Sequence, residues 1–295
     1  MSQKTIIIAE IGECFNGDIE VAKRLVEVAK KAGCDYVKFQ TLDRKGIAKD
    51  DPEREWFLKV ALTKGQLETL MGYARRLGIR FLCTPENKKK AQVAERIGLK
   101  EIKIASCSLT DYELLDYVGK NFSRVFLSTG MASLDEIRKA VKTLDRVKEL
   151  FILHCVSEYP TGPLLEKRGL KALSLRDVRF NMMKMLMELF PGHKVGYSDH
   201  TSGILAPLVA VAMGAQAVEK HITLDRKTPI KNFRTGGQYL GTDHILSVEP
   251  KELKEMVRNI RDIEKMFGPR RWERSDGEVL LREFLRGRFK HNEEG

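Results

Sequence analysis

No apolar run in the 295 residues approaches the roughly 18 needed to cross a bilayer, so a membrane-spanning helix is not expected. A secretory leader is not expected either. The opening stretch MSQKTIIIAEIGE has only a short apolar core, followed at once by Glu10, and no small-residue cleavage site, so it reads as a strand. Cysteine is sparse and odd in number. Cys14, Cys34, Cys83, Cys107 and Cys155 are scattered and no pair has zinc-site spacing, which argues for reduced thiols and a cytoplasmic location. Glutamine is scarce too, and low glutamine beside 32% charged residues is a composition that points towards thermophiles. A hydrophobic share of 42% excludes a disordered chain.

What the chain has in excess is positive charge: 52 Lys and Arg against 41 Asp and Glu, a net +11. Such a balance is compatible with nucleic acid, a membrane surface or a small anionic substrate. The lysines are spread along amphipathic stretches such as KRLVEVAKKAG and form no block, so they read as solvated helix faces. Neither nucleic acid nor membrane is expected as a partner.

One pattern repeats along the chain. A short β-rich run ends in polar residues, and an amphipathic helix follows, often closing at Gly. The strand candidates are 5–10, 35–40, 79–84, 101–106, 124–129, 150–155, 194–199 and 217–222; helices are expected at 18–32, 64–77, 87–97, 110–119, 133–147, 203–213 and 250–267. In AKKAGCDYVKF and AVAMGAQAVEKH the junction is plain: a helix, a Gly at the C-cap, then a buried strand. Strands alternating with helices pair in parallel through right-handed crossovers, and eight such units close an α/β fold of the (β/α)₈ TIM-barrel type. A doubly wound open sheet would need a change of pattern that these units do not show. Residues 1–268 are expected to form the barrel, and 269–295 a tail with one short helix near 278–289. The longer connection 42–62 has Trp56 and Phe57 as packing anchors, and 223–249 is a long loop of the kind that is functional or mobile.

In such barrels the chemistry sits at the C-terminal ends of the strands. Here the strands end in Glu10; Lys38 and Gln40; Thr84; Lys103 and Ser106; Ser128 and Thr129; His154; Ser198, Asp199 and His200; and Glu219, Lys220 and His221. Any one of these reads most simply as a snorkelling lysine or a satisfied core histidine. Solvation does not explain all of them together. Lys38 and Lys103 lie inside apolar strands, where an unpaired cation is costly, so both must meet anions, and a phosphate or carboxylate ligand would meet that need. With Thr84, Ser106 and Ser128 as donors, the mouth reads as an anion cradle. His200 and His221 end adjacent strands. Two imidazoles with oxygen ligands suit Mn²⁺, Co²⁺ or Fe²⁺, the alternative being that both only hydrogen-bond substrate or backbone. His244 is placed to approach the same site, and the role of His154 is open.

The segments AEIGECFNGD, DYVKFQT, FLCTPE, IKIASCSLTD, LSTGMASLDEI, LHCVSEYPT, VGYSDHTSGILAPLVAVAMGA, VEKHITLDR and GTDHILSVEP, in this order, resemble the sialic acid (N-acetylneuraminate) synthase family over about residues 5–267. That resemblance implies a transferase that condenses phosphoenolpyruvate with a 2-acetamido sugar, releasing phosphate and forming a nonulosonic 2-keto acid. It implies Lys38, Thr84, Lys103, Ser106, Ser128 and Ser198 on phosphoenolpyruvate, and His200 and His221 on a divalent metal, Mn²⁺ first, with Mg²⁺ or Co²⁺ as substitutes. It implies Glu10, Glu219 and Asp243 as acid–base and orienting carboxylates, Tyr159 beside the sugar, and a homo-oligomer, a dimer by expectation. The chain departs from the pattern at Cys14 and Phe15, where the family reads Asn-His, and at Ser157, where it reads Asn. The family's C-terminal antifreeze-like domain is expected to be absent. These departures predict an acceptor other than N-acetylmannosamine, or a partner needed to use it. Two other readings are open: a phosphoenolpyruvate-dependent aldol-type synthase acting on another aldose or a sugar phosphate, and a non-catalytic binding barrel.

Overall fold

The computed structural model describes residues 4–47, 49–50, 54–158, 173–231, 238–240, 242–269 and 271–288. Its centre is an eight-stranded parallel sheet: β1 (Ile6–Gly12), β2 (Tyr36–Thr41), β3 (Arg80–Pro85), β4 (Glu101–Ile104), β5 (Arg124–Ser128), β6 (Glu149–Cys155), β7 (Lys194–Asp199) and β8 (Ala217–His221). The strand order is β3-β2-β1-β8-β7-β6-β5-β4, so the first strand pairs with the last. β3 and β4 lie alongside each other but share no ladder, which leaves the barrel nearly closed.

Helices α1 (Ile19–Ala32), α2 (Arg54–Val60), α3 (Lys64–Leu77), α4 (Lys88–Arg96), α5 (Tyr112–Asn121), α6 (Leu134–Thr143), α7 (Phe180–Leu189) and α8 (Leu205–Ala212) follow in order. Their ends are written in local chemistry. Asp18 caps α1 by accepting from the Glu20 amide at 2.8 Å, and Gly33 closes it in the left-handed region at φ 92°. Reciprocal Ser133 and Glu136 bonds open α6. Trp56 on α2 is buried and its indole N–H donates to Glu13, as its anchoring role predicts. The periodicity pointed to no helix between the sixth and seventh strands, yet α7 is there. Its sequence FNMMKMLMEL is apolar on most faces and gives little amphipathic contrast.

After β8 come a small antiparallel pair, β9 (Pro229–Lys231) and β10 (Gln238–Leu240), then α9 (Thr242–Leu246) and α10 (Pro250–Met266). The tail helix α11 (Asp276–Gly287) buries none of its residues. Among the described residues no helix is long and apolar enough to cross a membrane.

Strand alternation divides the core in two. Ile7, Ala9 and Ile11 face outward against Leu25, Val26 and the helix layer. Ile8, Tyr36, Leu82, Phe126, Phe151, Leu153 and Ala217 face inward and plug the lower barrel, with Phe126 stacked on Phe151 at 4.6 Å. Above that plug the inward positions turn polar.

Candidate active site

Side chains two residues apart on a strand share a face. Stepping up from the plug therefore leads from Ile8 to Glu10, from Tyr36 to Lys38 and Gln40, from Leu82 to Thr84, and from Ala217 to Glu219 and His221. Lys103, Ser128 and Ser198 occupy the same level on β4, β5 and β7. All of them line one cavity of about 230 Å³ at the C-terminal mouth, with Ser106, Cys155, Ser157 and His200. The six residues expected to share a mouth, Glu10, Lys38, Lys103, Ser128, His200 and His221, do so.

The charges in this cavity form a chain. Lys38 Nζ lies 3.1 Å from Glu10 Oε2 and 3.2 Å from Glu219 Oε2, and Lys103 Nζ lies 3.3 Å from Glu219 Oε1. Ser198 donates to Glu219 Oε1 at 2.8 Å, and Gln40 donates to Glu10 Oε1 at 3.3 Å. The lysines were expected to need a ligand's anion; within the protein they already meet two carboxylates. Burial pushes the Glu10 carboxyl up to about 7 against the pull of Lys38, with Glu219 adding to the rise. Burial works on Glu219 in the same sense, but Lys103 and Lys38 outweigh it and hold that carboxyl below its usual range. The Lys103 ammonium is pushed down by burial, partly offset by Glu219. Thr84 Oγ1 and Ser128 Oγ are buried and find no hydrogen-bond partner among the described residues, which leaves both hydroxyls for a ligand in the cavity.

Two glycines make room. Gly12 has φ 52°, and a Cβ there would lie 2.6 Å from Asp243 Oδ2 and 3.2 Å from Glu10 Oε1. Only glycine lets Asp243, brought in on α9, come down beside Glu10. At Gly130 a Cβ would meet Ser157 Oγ at 2.1 Å and Ser106 Oγ at 2.8 Å, and the Gly130 amide donates to Ser106 Oγ at 3.0 Å.

His200 and His221 have ring centroids 5.3 Å apart. His200 Nδ1 donates to the Val156 carbonyl at 2.9 Å, so in the neutral form of the ring the lone pair is on Nε2. Cys155 Sγ is 3.7 Å from the same ring. Burial raises that thiol, but the imidazole more than reverses it and brings the thiol to about 7. Burial lowers His200 while the Cys155 thiolate raises it, to about 9. His221 Nδ1 has no hydrogen-bond partner among the described residues and lies 3.5 Å from Asp243 Oδ2. Among the described residues no three His, Cys, Asp or Glu side chains gather as a ready-made metal cage. The donors present, two imidazoles with a carboxylate beside one of them, fit a divalent ion that takes its other ligands from substrate and water.

Several expected residues lie elsewhere. Tyr159 falls outside the described residues. His244 is bonded through Nδ1 to Thr223 at 2.7 Å and through Nε2 to Asn16 at 2.9 Å, which turns it away from the cavity. His154 is outside the first cavity: it bonds the Val178 carbonyl at 2.6 Å, stacks on Tyr197 and lines the larger cavity beside the helix layer. Asp199 and Lys220 pair with each other at 2.6 Å, also on the outer face. Their odd position in the alternation decides this. Of the three substitutions assigned to the sugar side, Phe15 packs edge-on against Phe39 at 6.0 Å in the outer core, and Cys14 is buried with its thiol 3.5 Å from Ser247. Only Ser157 lines the cavity. Cys155 was missed as a lining residue, although two steps up from the inward Leu153 is enough to find it.

A larger cavity of about 510 Å³ adjoins the first and shares Met131, Cys155 and Ser157 with it. Its walls are mostly apolar, from Ile137, Met182, Met185, Leu186 and Leu189, with Glu158, Asp177 and Arg179 as its charges.

Residues 25–271 match the NeuB family. An uncharacterised protein of Methanocaldococcus jannaschii is 42% identical over 90% of this chain and 73% of its own length. The N,N'-diacetyllegionaminic acid synthase of Campylobacter jejuni is 35% identical over 90% of this chain and 78% of its own. The crystal structure of an N-acetylneuraminic acid synthetase from Leptospira borgpetersenii, in complex with citrate, superposes with a TM-score of 0.81 at 28% identity, covering 98% of this chain and 94% of that one.

Proposed function

Because the chain belongs to the NeuB family, we propose that it is a phosphoenolpyruvate-dependent synthase that builds a nonulosonic 2-keto acid from a 2-acetamido sugar. The observation that carries this reading is one cavity in which two lysines, two hydroxyls without a partner among the described residues, two differently tuned carboxylates and two imidazoles converge. Its volume of about 230 Å³ lies below the roughly 300–1,000 Å³ of drug-sized ligand sites, which suits a compact acid such as phosphoenolpyruvate. The acceptor then extends past Ser157 into the adjoining cavity, whose one cation, among the described lining residues, is Arg179. That wall favours an uncharged N-acyl sugar over a sugar phosphate.

In this reading Lys38 and Lys103 hold the phosphate and carboxylate, and Thr84, Ser106, Ser128 and Ser198 supply hydroxyl donors. His200 and His221 would hold a divalent metal, Mn²⁺ by preference, which when bound polarises the acceptor aldehyde. Carbon 3 of phosphoenolpyruvate attacks that carbonyl, forming the carbon–carbon bond and leaving positive charge at carbon 2. A water oriented by Glu10 adds there and gives up its proton to the carboxylate. The aldehyde oxygen takes up the proton that Glu10 returns, and cleavage of the bond between carbon 2 and the phosphate oxygen releases hydrogen phosphate, which carries off the remaining hydroxyl proton and leaves the ketone. With Glu10 raised to about 7, both of its forms are populated near neutrality, as a group that accepts and returns a proton requires. Asp243, 3.5 Å from His221, orients that ring. Phosphate release from phosphoenolpyruvate, screened over acceptor aldoses with Mn²⁺, tests the reading.

A further inference from the structure

Between the sheet and the helix layer, β7 and β8 carry a buried ion pair that the chemistry above does not use. Lys220 Nζ lies 2.6 Å from Asp199 Oδ2, and both side chains are 0% exposed. Lys220 also donates to the Thr201 carbonyl, while the Thr201 amide donates to Asp199 Oδ1 at 2.9 Å. Tyr197 completes the set, donating its hydroxyl to Asp199 Oδ1 at 2.8 Å.

Position gives this pair its meaning. Asp199 opposite Lys220 is the last rung of the β7–β8 ladder. Beyond it no main-chain rung ties His200 to His221. Asp199 immediately precedes His200, Thr201 immediately follows it, and Lys220 immediately precedes His221. Thr201 is therefore pinned at both its amide and its carbonyl by the two charged groups, and the backbone carrying His200 is fixed on either side. A buried ion pair is commonly no more stabilising than well-packed apolar side chains of the same size, since desolvation offsets the attraction. What it adds over apolar packing is direction. The structure assigns Asp199 and Lys220 the role of a positioning pair, which sets the spacing of His200 and His221 from the far side of the sheet. This rests on the two histidines being metal ligands, as proposed above.

The test uses the full-length protein and Co²⁺ as the probe, read by its visible absorption without substrate, with phosphoenolpyruvate binding followed separately by calorimetry. The double variant Asp199→Leu/Lys220→Met removes both charges and leaves apolar volume. It is expected to bind Co²⁺ at least tenfold more weakly, with an altered spectrum, while phosphoenolpyruvate affinity stays within about twofold because Lys38 and Lys103 are untouched. Tyr197→Phe, which removes one arm and keeps the ring, is expected to weaken Co²⁺ binding about threefold and decides the matter if the double variant does not fold. Wild-type Co²⁺ affinity in these variants, or an equal loss of Co²⁺ and phosphoenolpyruvate binding, overturns the positioning role. Wild-type protein that binds no Co²⁺, or a His200→Ala/His221→Ala variant that binds it unchanged, overturns instead the metal reading on which the pair's role stands.

Discussion

Lys38 Nζ sits 3.1 Å from the Glu10 carboxylate inside the barrel, and each group governs the other's charge. Without Lys38, burial and the neighbouring Glu219 would push Glu10 higher still; without the carboxylates, the ammonium would be costly to keep.

The first prediction follows from that balance. In the proposed reaction Glu10 works in its carboxylate form, and burial raises it to about 7, so kcat/KM should climb with pH through about 7 and level off above it. Below that point Glu10 is protonated and can no longer accept a proton from water. Glu10→Gln should abolish this acid limb and lower kcat by about 10²–10⁴. A limb that persists unchanged in the variant would assign the titration to another group.

Among the described residues Lys103 pairs with one carboxylate, Glu219, while Glu219 also has Lys38 and Ser198. Lys103→Gln should therefore leave a folded protein with Glu219 still paired. Its KM for phosphoenolpyruvate should rise at least about tenfold, the effect of losing a charged hydrogen bond of about 1.5–3 kcal/mol. Acceptor KM should change less. A variant with unaltered phosphoenolpyruvate KM would leave Lys103 as a structural counter-charge.

Ser157 and Phe15 make opposite predictions, although both mark departures in sequence. Ser157 lines both cavities, so Ser157→Asn should shift acceptor KM and leave phosphoenolpyruvate KM near its original value. Phe15 belongs to the outer core, so Phe15→Ala should cost about 3–5 kcal/mol of stability without changing acceptor preference in the protein that remains folded. Denaturant melts and steady-state kinetics on the two variants separate the roles.

Gly12 supplies the fourth. Its φ of 52° and the 2.6 Å approach to Asp243 mean that Gly12→Ala strains the backbone by about 1–2 kcal/mol and displaces Asp243 from Glu10. Activity should fall by more than stability does. Retained activity at a lowered melting temperature would remove Asp243 from the site.

Much of this was legible in the residues themselves. Each strand is a β-rich run that closes on a polar group, and a two-residue step from the apolar plug reaches Glu10, Lys38, Thr84 and Glu219. By the same parity Asp199, Lys220 and His154 point away from the mouth although each stands near a strand end, and of the three His154 reaches a cavity, the larger one. Asp243 carries no such signal, because a loop and the short α9 bring it in, and a single glycine admits it. Phe15 follows directly on Cys14 just past β1, and sequence adjacency to a site says nothing about which side of the sheet a ring will pack on. Helix α7 was hidden by its own composition: Met183 and Leu186 are buried, but Met182 and Met185 are exposed, so apolar residues occupy both faces.

The most direct test of the central claim is a coupled measurement on the purified protein with phosphoenolpyruvate and Mn²⁺, scanning 2-acetamido aldoses. Free phosphate and 2-keto acid should be quantified together, the latter by mass. The account predicts phosphate release that depends on the aldose, with one phosphate for each 2-keto acid carrying the joined carbon skeleton. Phosphate released at the same rate without any aldose, or none released with any of them, would contradict it.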